Sequence, residues 1–290
     1  MMSFTQDLAE RILRGAAPAV VGLDPRVDAL PATLRPDAPP PERILAFYQA
    51  ALPALAPHIV CVKPNIAFFE CFGAAGYRVY EQTCALARSL GMLVLGDIKR
   101  GDIGSTAQAY AEGHFQIADA VTLHPYLGRD SVDPFLHHCR EERGGKAVFV
   151  LVRTSNPGAR DFQDLPIEGQ PLAEHVANAV TAWGAEFPRH HGYSPVGAVV
   201  GATWPKELAR LRQLLPHAWL LLPGVGAQGA KVQDLAAAFD HQGLGALVNQ
   251  SRGVMQPFSP TDPQWLSRLQ QAVIAFADEC RTVAQSRRHV

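Results

Sequence analysis

The sequence is poor in the features that mark secreted, membrane-spanning or nucleic-acid-binding proteins. Its five cysteines, Cys61, Cys71, Cys84, Cys139 and Cys280, are an odd set without a Cys-x-x-Cys pair, which argues against a disulfide framework and against a zinc ribbon. No uninterrupted apolar stretch reaches membrane-spanning length. The opening residues, MMSFTQDLAERILRG, carry acids early and have no continuous apolar core, unlike a secretory leader, so the cytoplasm is the expected compartment. Neither sign of charge is in excess. With 26 Lys and Arg against 27 Asp and Glu, the basic surface that holds a phosphate backbone is missing, and nucleic acid is not an expected partner.

What is there suits a folded enzyme-sized body. Of 290 residues 48% are hydrophobic and 18% charged, ample for a core and far from the charge-rich disordered class. Short apolar, β-rich runs recur at 19–25, 59–65, 92–99, 120–126, 147–155, 197–203, 219–226 and 246–253. Amphipathic stretches at 43–56, 77–90, 105–116, 171–187, 205–215 and 262–287 lie between and after them, the alternation of a parallel sheet covered by helices. Pro53 is expected to shorten or kink the first of these. The expectation is α/β: a (β/α)8 TIM barrel formed by residues 1–290 as one domain, with a terminal helix. A doubly wound open sheet has the same periodicity, which does not reveal closure. Residues 31–42, rich in proline, read as an extended loop, and 154–171, rich in Gly and Pro, as a lid.

In such barrels the functional loops follow the carboxyl ends of the strands. At the third run, GDIKRGDIGST (96–106), an apolar stretch stops at Asp97, Lys99 and Asp102. Strand alternation puts Asp97 and Lys99 on one face. Asp102 joins them if the turn through Gly101 folds back or a second subunit contributes. Taken alone, this run is most often a solvated strand end. Lys63 in VCVKPN and Asp24 in VVGLDP make three consecutive strand ends that offer charge, and alternating acid and base lets each buried charge be compensated. PGVGAQGAK (223–231) is a Gly-rich turn after the seventh run, and VNQSRG (248–253) ends the eighth; loops after strands seven and eight are the recurrent phosphate site of these barrels.

GLDP (22–25), KPN (63–65), DIKRGDIGST (97–106), TSNPGA (154–159) and PGVGAQGA (223–230), in this order, resemble the longer bacterial branch of the orotidine 5′-phosphate decarboxylases. The resemblance implies conversion of orotidine 5′-monophosphate to uridine 5′-monophosphate and CO2 without a cofactor or metal. It implies a charged catalytic network of Lys63, Asp97, Lys99 and Asp102, with Lys99 protonating the carbon that loses the carboxylate. It further implies that Asp24 binds ribose, Ser155 the pyrimidine, and Gln228 and Arg252 the phosphate. Asp102 and Thr106 are implied to reach across a homodimer. The segment Asp-x-Lys-x-x-Asp is shared with hexulose-phosphate synthase type aldolases, which use magnesium and an acidic ligand at the second strand, where this chain has Lys63. A catalytically silent barrel that binds a nucleotide or sugar phosphate is the reading from another class. His124 departs from the Asn frequent in the branch. His137, His138, Cys139, His190 and His191 read as surface or structural residues, and Trp183, Trp204, Trp219 and Trp265 as packing.

Overall fold

Parallel strands buried on both faces have to be continuous apolar runs, and all eight such runs form strands in the computed structural model, which describes residues 2–226 and 229–287. The strands are β1 (Ala19–Leu23), β2 (Cys61–Pro64), β3 (Leu93–Arg100), β4 (Ala120–Leu123), β5 (Ala147–Arg153), β6 (Val196–Val200), β7 (Leu220–Leu222) and β8 (Ala246–Gln250). Each pairs in parallel with its sequence neighbours, and β1 also pairs with β8, as in Ala19 opposite Val248. The sheet is therefore a closed barrel, which excludes the open doubly wound alternative.

Alternation along these strands divides the apolar residues into two clusters. Residues that face outward, such as Val21, Val62, Val121 and Val148, pack against the surrounding helices. Those helices are α2 (Pro40–Leu55), α3 (Gly73–Ser89), α4 (Gly104–Ile117), α5 (Arg129–Cys139), α6 (Leu172–Gly184), α7 (Pro205–Leu214) and α8 (Trp265–Gln285). Residues that face inward, among them Val20, Leu95, Phe149, Trp219, Leu221 and Leu247, fill the barrel itself.

A further helix, α1 (Phe4–Leu13), belongs to that inner cluster through Phe4, Leu8, Ala9 and Ile12. The edge of Phe4 meets Phe149 with ring centroids 6.2 Å apart, so α1 closes the amino-terminal mouth of the barrel. Each large apolar side chain buried there is worth about 1.5–3 kcal/mol. The sequence reading treated these residues only as evidence about targeting, although Phe4, Leu8 and Ile12 fall on one helical face.

Other departures are local. α2 begins at Pro40, where proline at the first helical position costs no hydrogen bond, and continues through Pro53 to Leu55. α5 was not among the expected amphipathic stretches; Pro134 lies within it. The connection from β7 to β8 is a 3-10 turn, Val232–Ala238, in place of an α-helix. Residues 154–171 are ordered by a 3-10 turn at Pro157–Asp161 and a hairpin pairing Pro166–Ile167 with Gln170–Pro171.

Candidate active site

A cavity of about 510 Å³ opens at the carboxyl ends of the strands. Its polar lining comes mainly from the residues that follow the last inward apolar layer. Lys63 of β2 donates to Asp97 Oδ2 of β3 at 2.6 Å, and both side chains are buried. Lys99 donates to the other oxygen, Asp97 Oδ1, which also accepts a 3.0 Å bond from the Thr122 hydroxyl of β4. The Lys99 side chain is 49% exposed and lines the cavity.

Burial alone would hold the Asp97 carboxyl neutral; the Lys63 and Lys99 ammonium groups prevail and push its pKa well below the usual carboxylate range. Burial likewise favours loss of the Lys63 proton, but the charges of Asp97 and Asp24, with the hydrogen bond to Asp97, raise its pKa instead. The centre of the cluster is thus a permanent ion pair, with the second ammonium facing the cavity.

Lys99 reaches this position through an irregular backbone. Its φ is +45°, in the left-handed region that costs a non-glycine residue on the order of 1–3 kcal/mol. The register between β3 and β4 shifts here: Gly96 pairs with Val121 but Arg100 with Leu123. The Lys99 N–H, displaced from regular pairing, donates to Thr122 Oγ1 at 3.0 Å. Thr122 therefore serves both the Lys99 backbone and the Asp97 carboxylate. The sequence reading missed it, yet it is two residues after the inward-facing Ala120, on the same face of β4.

The remaining lining surrounds this cluster. Asp24, beyond β1, has a buried Oδ1 with no hydrogen-bond partner among the described residues. Ser155 lines the opposite side together with Thr154 and Asn156, and Arg252 stands beyond β8. Asn65, Asn249 and Ser251 also line the cavity and were not singled out from the sequence. A Cβ on Gly22 would come within 1.9 Å of Ser251 Oγ, so glycine is required for β1 and the end of β8 to meet. After β7, Gly226 has φ +75° and leaves no room for a side chain beside Gln250, which brings the Gly-rich turn close to the β8 end. Gln228 lies outside the described residues.

Asp102 and Thr106 do not join this group within the chain. Asp102 Oδ1 accepts from the Ile103 N–H at 2.8 Å, and neither residue lines the cavity. The turn through Gly101 does not fold back toward the cavity, and the His124 imidazole lies against Gly101 where a Cβ would be. Of the other residues noted from the sequence, His190 bonds to Glu141 at 2.6 Å, Trp219 fills the barrel, and the Trp204 ring carries both the Arg153 and the Arg160 guanidinium groups, 5.4 and 4.9 Å from its centroid.

A closed (β/α)8 barrel with an ammonium–carboxylate cluster and an arginine around a cavity at its strand ends puts the chain in the class of (β/α)8 barrels with a charged site at the carboxyl face. Within that class, the chain belongs to the orotidine 5′-phosphate decarboxylase / HUMPS family, whose model matches residues 37–261. It is 43% identical over 270 residues to the orotidine 5′-phosphate decarboxylase of Rhodopirellula baltica, covering 88% of this chain and 89% of that one. The corresponding protein of Deinococcus radiodurans is 45% identical over 256 residues, with 87% and 89% covered. The solved structure of Leishmania donovani OMP decarboxylase superposes with a TM-score of 0.80 at 33% identity, covering 98% of this chain and 99% of that one.

Proposed function

We propose that this protein decarboxylates orotidine 5′-monophosphate to uridine 5′-monophosphate in pyrimidine biosynthesis. The observation that carries the reading is the Lys63–Asp97–Lys99 cluster, with one ammonium left facing the cavity. Loss of CO2 from pyrimidine C6 leaves a carbanion that the ring does not delocalise well, so the barrier is high. A fixed ammonium placed where that charge develops lowers the barrier electrostatically, and gains most if it is held in place beforehand. Lys99 has this role and then donates its proton to C6, forming the C–H bond as CO2 departs. Asp97, with two lysines and Thr122 on its oxygens, keeps that ammonium aimed, beside the carboxylate that leaves. Lys63 neutralises Asp97 and, with Asp24, holds the ribose hydroxyls.

Ser155 binds the pyrimidine, and Arg252 takes the phosphate with Gln228, a guanidinium fork suiting a dianion. No step draws on a metal or cofactor. Residues 1–290 act as one barrel domain in the cytoplasm. The active protein is a homodimer in which Asp102 and Thr106 complete the partner's site. In support, Asp102 and Thr106 sit among the exposed apolar residues Ile103, Tyr110, Tyr126 and Leu127 at the third and fourth strand ends, the surface a second copy would cover.

The test is loss of the orotate chromophore when orotidine 5′-monophosphate is added to protein dialysed against a chelator. Turnover is expected. Activity on a pentulose phosphate only after magnesium is restored would establish an aldolase instead, and inactivity on both a silent binding barrel. Arg252→Ala is expected to weaken binding of uridine 5′-monophosphate while leaving uridine nearly unchanged.

A further inference from the structure

Arg153, at the end of β5, is among the largest side chains buried almost completely, yet it does not line the cavity. Phe149 and Leu151 face the barrel interior, so regular alternation would send Arg153 the same way. A register shift prevents this: Leu151 pairs with Val199, but Arg153 pairs with the very next residue, Val200. Such a bulge re-aims a side chain, and Arg153 turns out toward Glu207 of α7 and Asp164 of the 154–171 loop, at 2.7 and 3.0 Å.

One further contact of Arg153 fixes the direction of a hydrogen-bond chain leading back to the cavity. Gln163 Oε1 accepts from Arg153 Nη1 at 3.4 Å and from the Thr154 N–H at 2.8 Å. A guanidinium and a backbone N–H can only donate, so the Gln163 amide is oriented with its oxygen toward them and its NH2 toward Thr154. Gln163 Nε2 donates to Thr154 Oγ1 at 2.9 Å. The Thr154 hydroxyl passes its own proton to Asn156 Oδ1 at 2.7 Å. With its oxygen engaged, the cavity-lining Asn156 has its NH2 group left to offer.

We infer that Arg153 and Gln163 are positioning residues that set the polarity of Asn156, making it a donor to the C4 carbonyl oxygen of a pyrimidine ring and a determinant of uracil-type over cytosine-type bases. The inference rests on the proposed nucleotide chemistry of this cavity. β5 lies diametrically across the ring of strands from β1, which carries Asp24. In a pyrimidine nucleotide, C4 is the ring atom directly across from N1, which bears the ribose. A ribose held at Asp24 therefore turns C4 toward the 154–156 loop.

The relay can be inverted without breaking it. In Gln163→Glu, the carboxylate still accepts from Arg153 and from the Thr154 N–H, but it also accepts the Thr154 hydroxyl proton. Thr154 Oγ1 then accepts from Asn156 Nδ2, and Asn156 presents its oxygen to the cavity. Binding of uridine and cytidine 5′-monophosphates to the wild type and to Gln163→Glu, measured by calorimetry on the full chain, tests this. The added charge repels both nucleotides alike, so the ratio of their affinities isolates the ring contact. The wild type is expected to prefer the uridine nucleotide, and the variant to lose about tenfold of that preference, the weight of one hydrogen bond, with an unchanged melting temperature. Asn156→Ala is expected to lose it as well. If both affinities shift by one common factor in Gln163→Glu, or if a wild type that turns over orotidine 5′-monophosphate binds both nucleotides equally, the inference is overturned and the proposed function stands. A wild type that neither turns over nor binds either nucleotide overturns both.

Discussion

The ends of β3 and β5 use the same backbone device with opposite results. Both strands break register just before the rim, and both place a basic residue at the break. At β3 the shift aims Lys99 into the cavity, where Asp97 holds it on one side and solvent meets the rest. At β5 it turns Arg153 away from the cavity, where Glu207, Asp164, Gln163 and the Trp204 ring surround the guanidinium. An ammonium with unused coordination can respond to charge that appears beside it. A guanidinium whose donors are taken up by protein acts instead as a fixed point for the chain around it. At these two strand ends, the number of partners the cation has already acquired separates the position proposed to react from the one that supports.

The sharpest way to break the comparison is to truncate each cation. Lys99→Ala should lower turnover by three orders of magnitude or more, at the upper range of a single proton-transfer group, while uridine 5′-monophosphate still binds; near-normal turnover would remove Lys99 from the chemistry. Next in size, Asp97→Asn leaves Lys63 buried without its counter-charge. It should cost about 3–5 kcal/mol in urea unfolding, the usual penalty for breaking a buried pair. Arg153→Met should cost only about 1–2 kcal/mol on the same measure, since Asp164 and Glu207 are 42% and 43% exposed and can rehydrate. Equal losses in these two variants would erase the distinction drawn above.

Acid should expose the β3 side first. His114 of α4 is buried, stacked on Tyr110, and burial followed by the charge of Arg100 lowers its pKa from 6.5 to about 4. The unfolded chain therefore takes up this proton at higher pH than the folded one. Stability should fall as pH drops from about 6.5 toward 4, by up to about 3 kcal/mol. His114→Phe should flatten that slope. The stability contributed by Asp97, whose folded pKa is depressed, persists above the ordinary aspartate value of 3.8 and is lost only as pH falls below it. The smallest effect expected is that of Thr122→Val, about 1 kcal/mol in stability with turnover reduced about tenfold, since it frees both the Lys99 N–H and one Asp97 bond.

The eight strands were legible because a strand covered on both faces has no polar positions until its end. That same abrupt change to polar residues located Asp24, Lys63, Asp97 and Lys99, while Ser155 and Arg252 were reached only through the family resemblance; all six line one cavity. Alternation could also have found Thr122 and Asn249, but a single threonine or asparagine within an apolar run carries little contrast. The two register shifts were not legible. They depend on how neighbouring strands pair, and Arg153 would have been assigned to the interior on period alone. Where Asp102 and Thr106 would stand in the proposed homodimer depends on a second chain, which no pattern within one chain encodes. α1 was overlooked because its apolar face is short and its partner, the amino-terminal mouth of the barrel, exists only once the strands have closed.

The seating of α1 also gives the barrel two unlike ends. With Phe4 and Leu8 wedged beneath the packed interior, the barrel is a vessel with a stopper at its base, and the cavity described above has its doorway at the opposite rim. A purification tag or a tether to a solid support joined ahead of Phe4 would hang from the stoppered side, leaving that doorway clear. A graft at the hairpin between Pro166 and Pro171 would stand beside it.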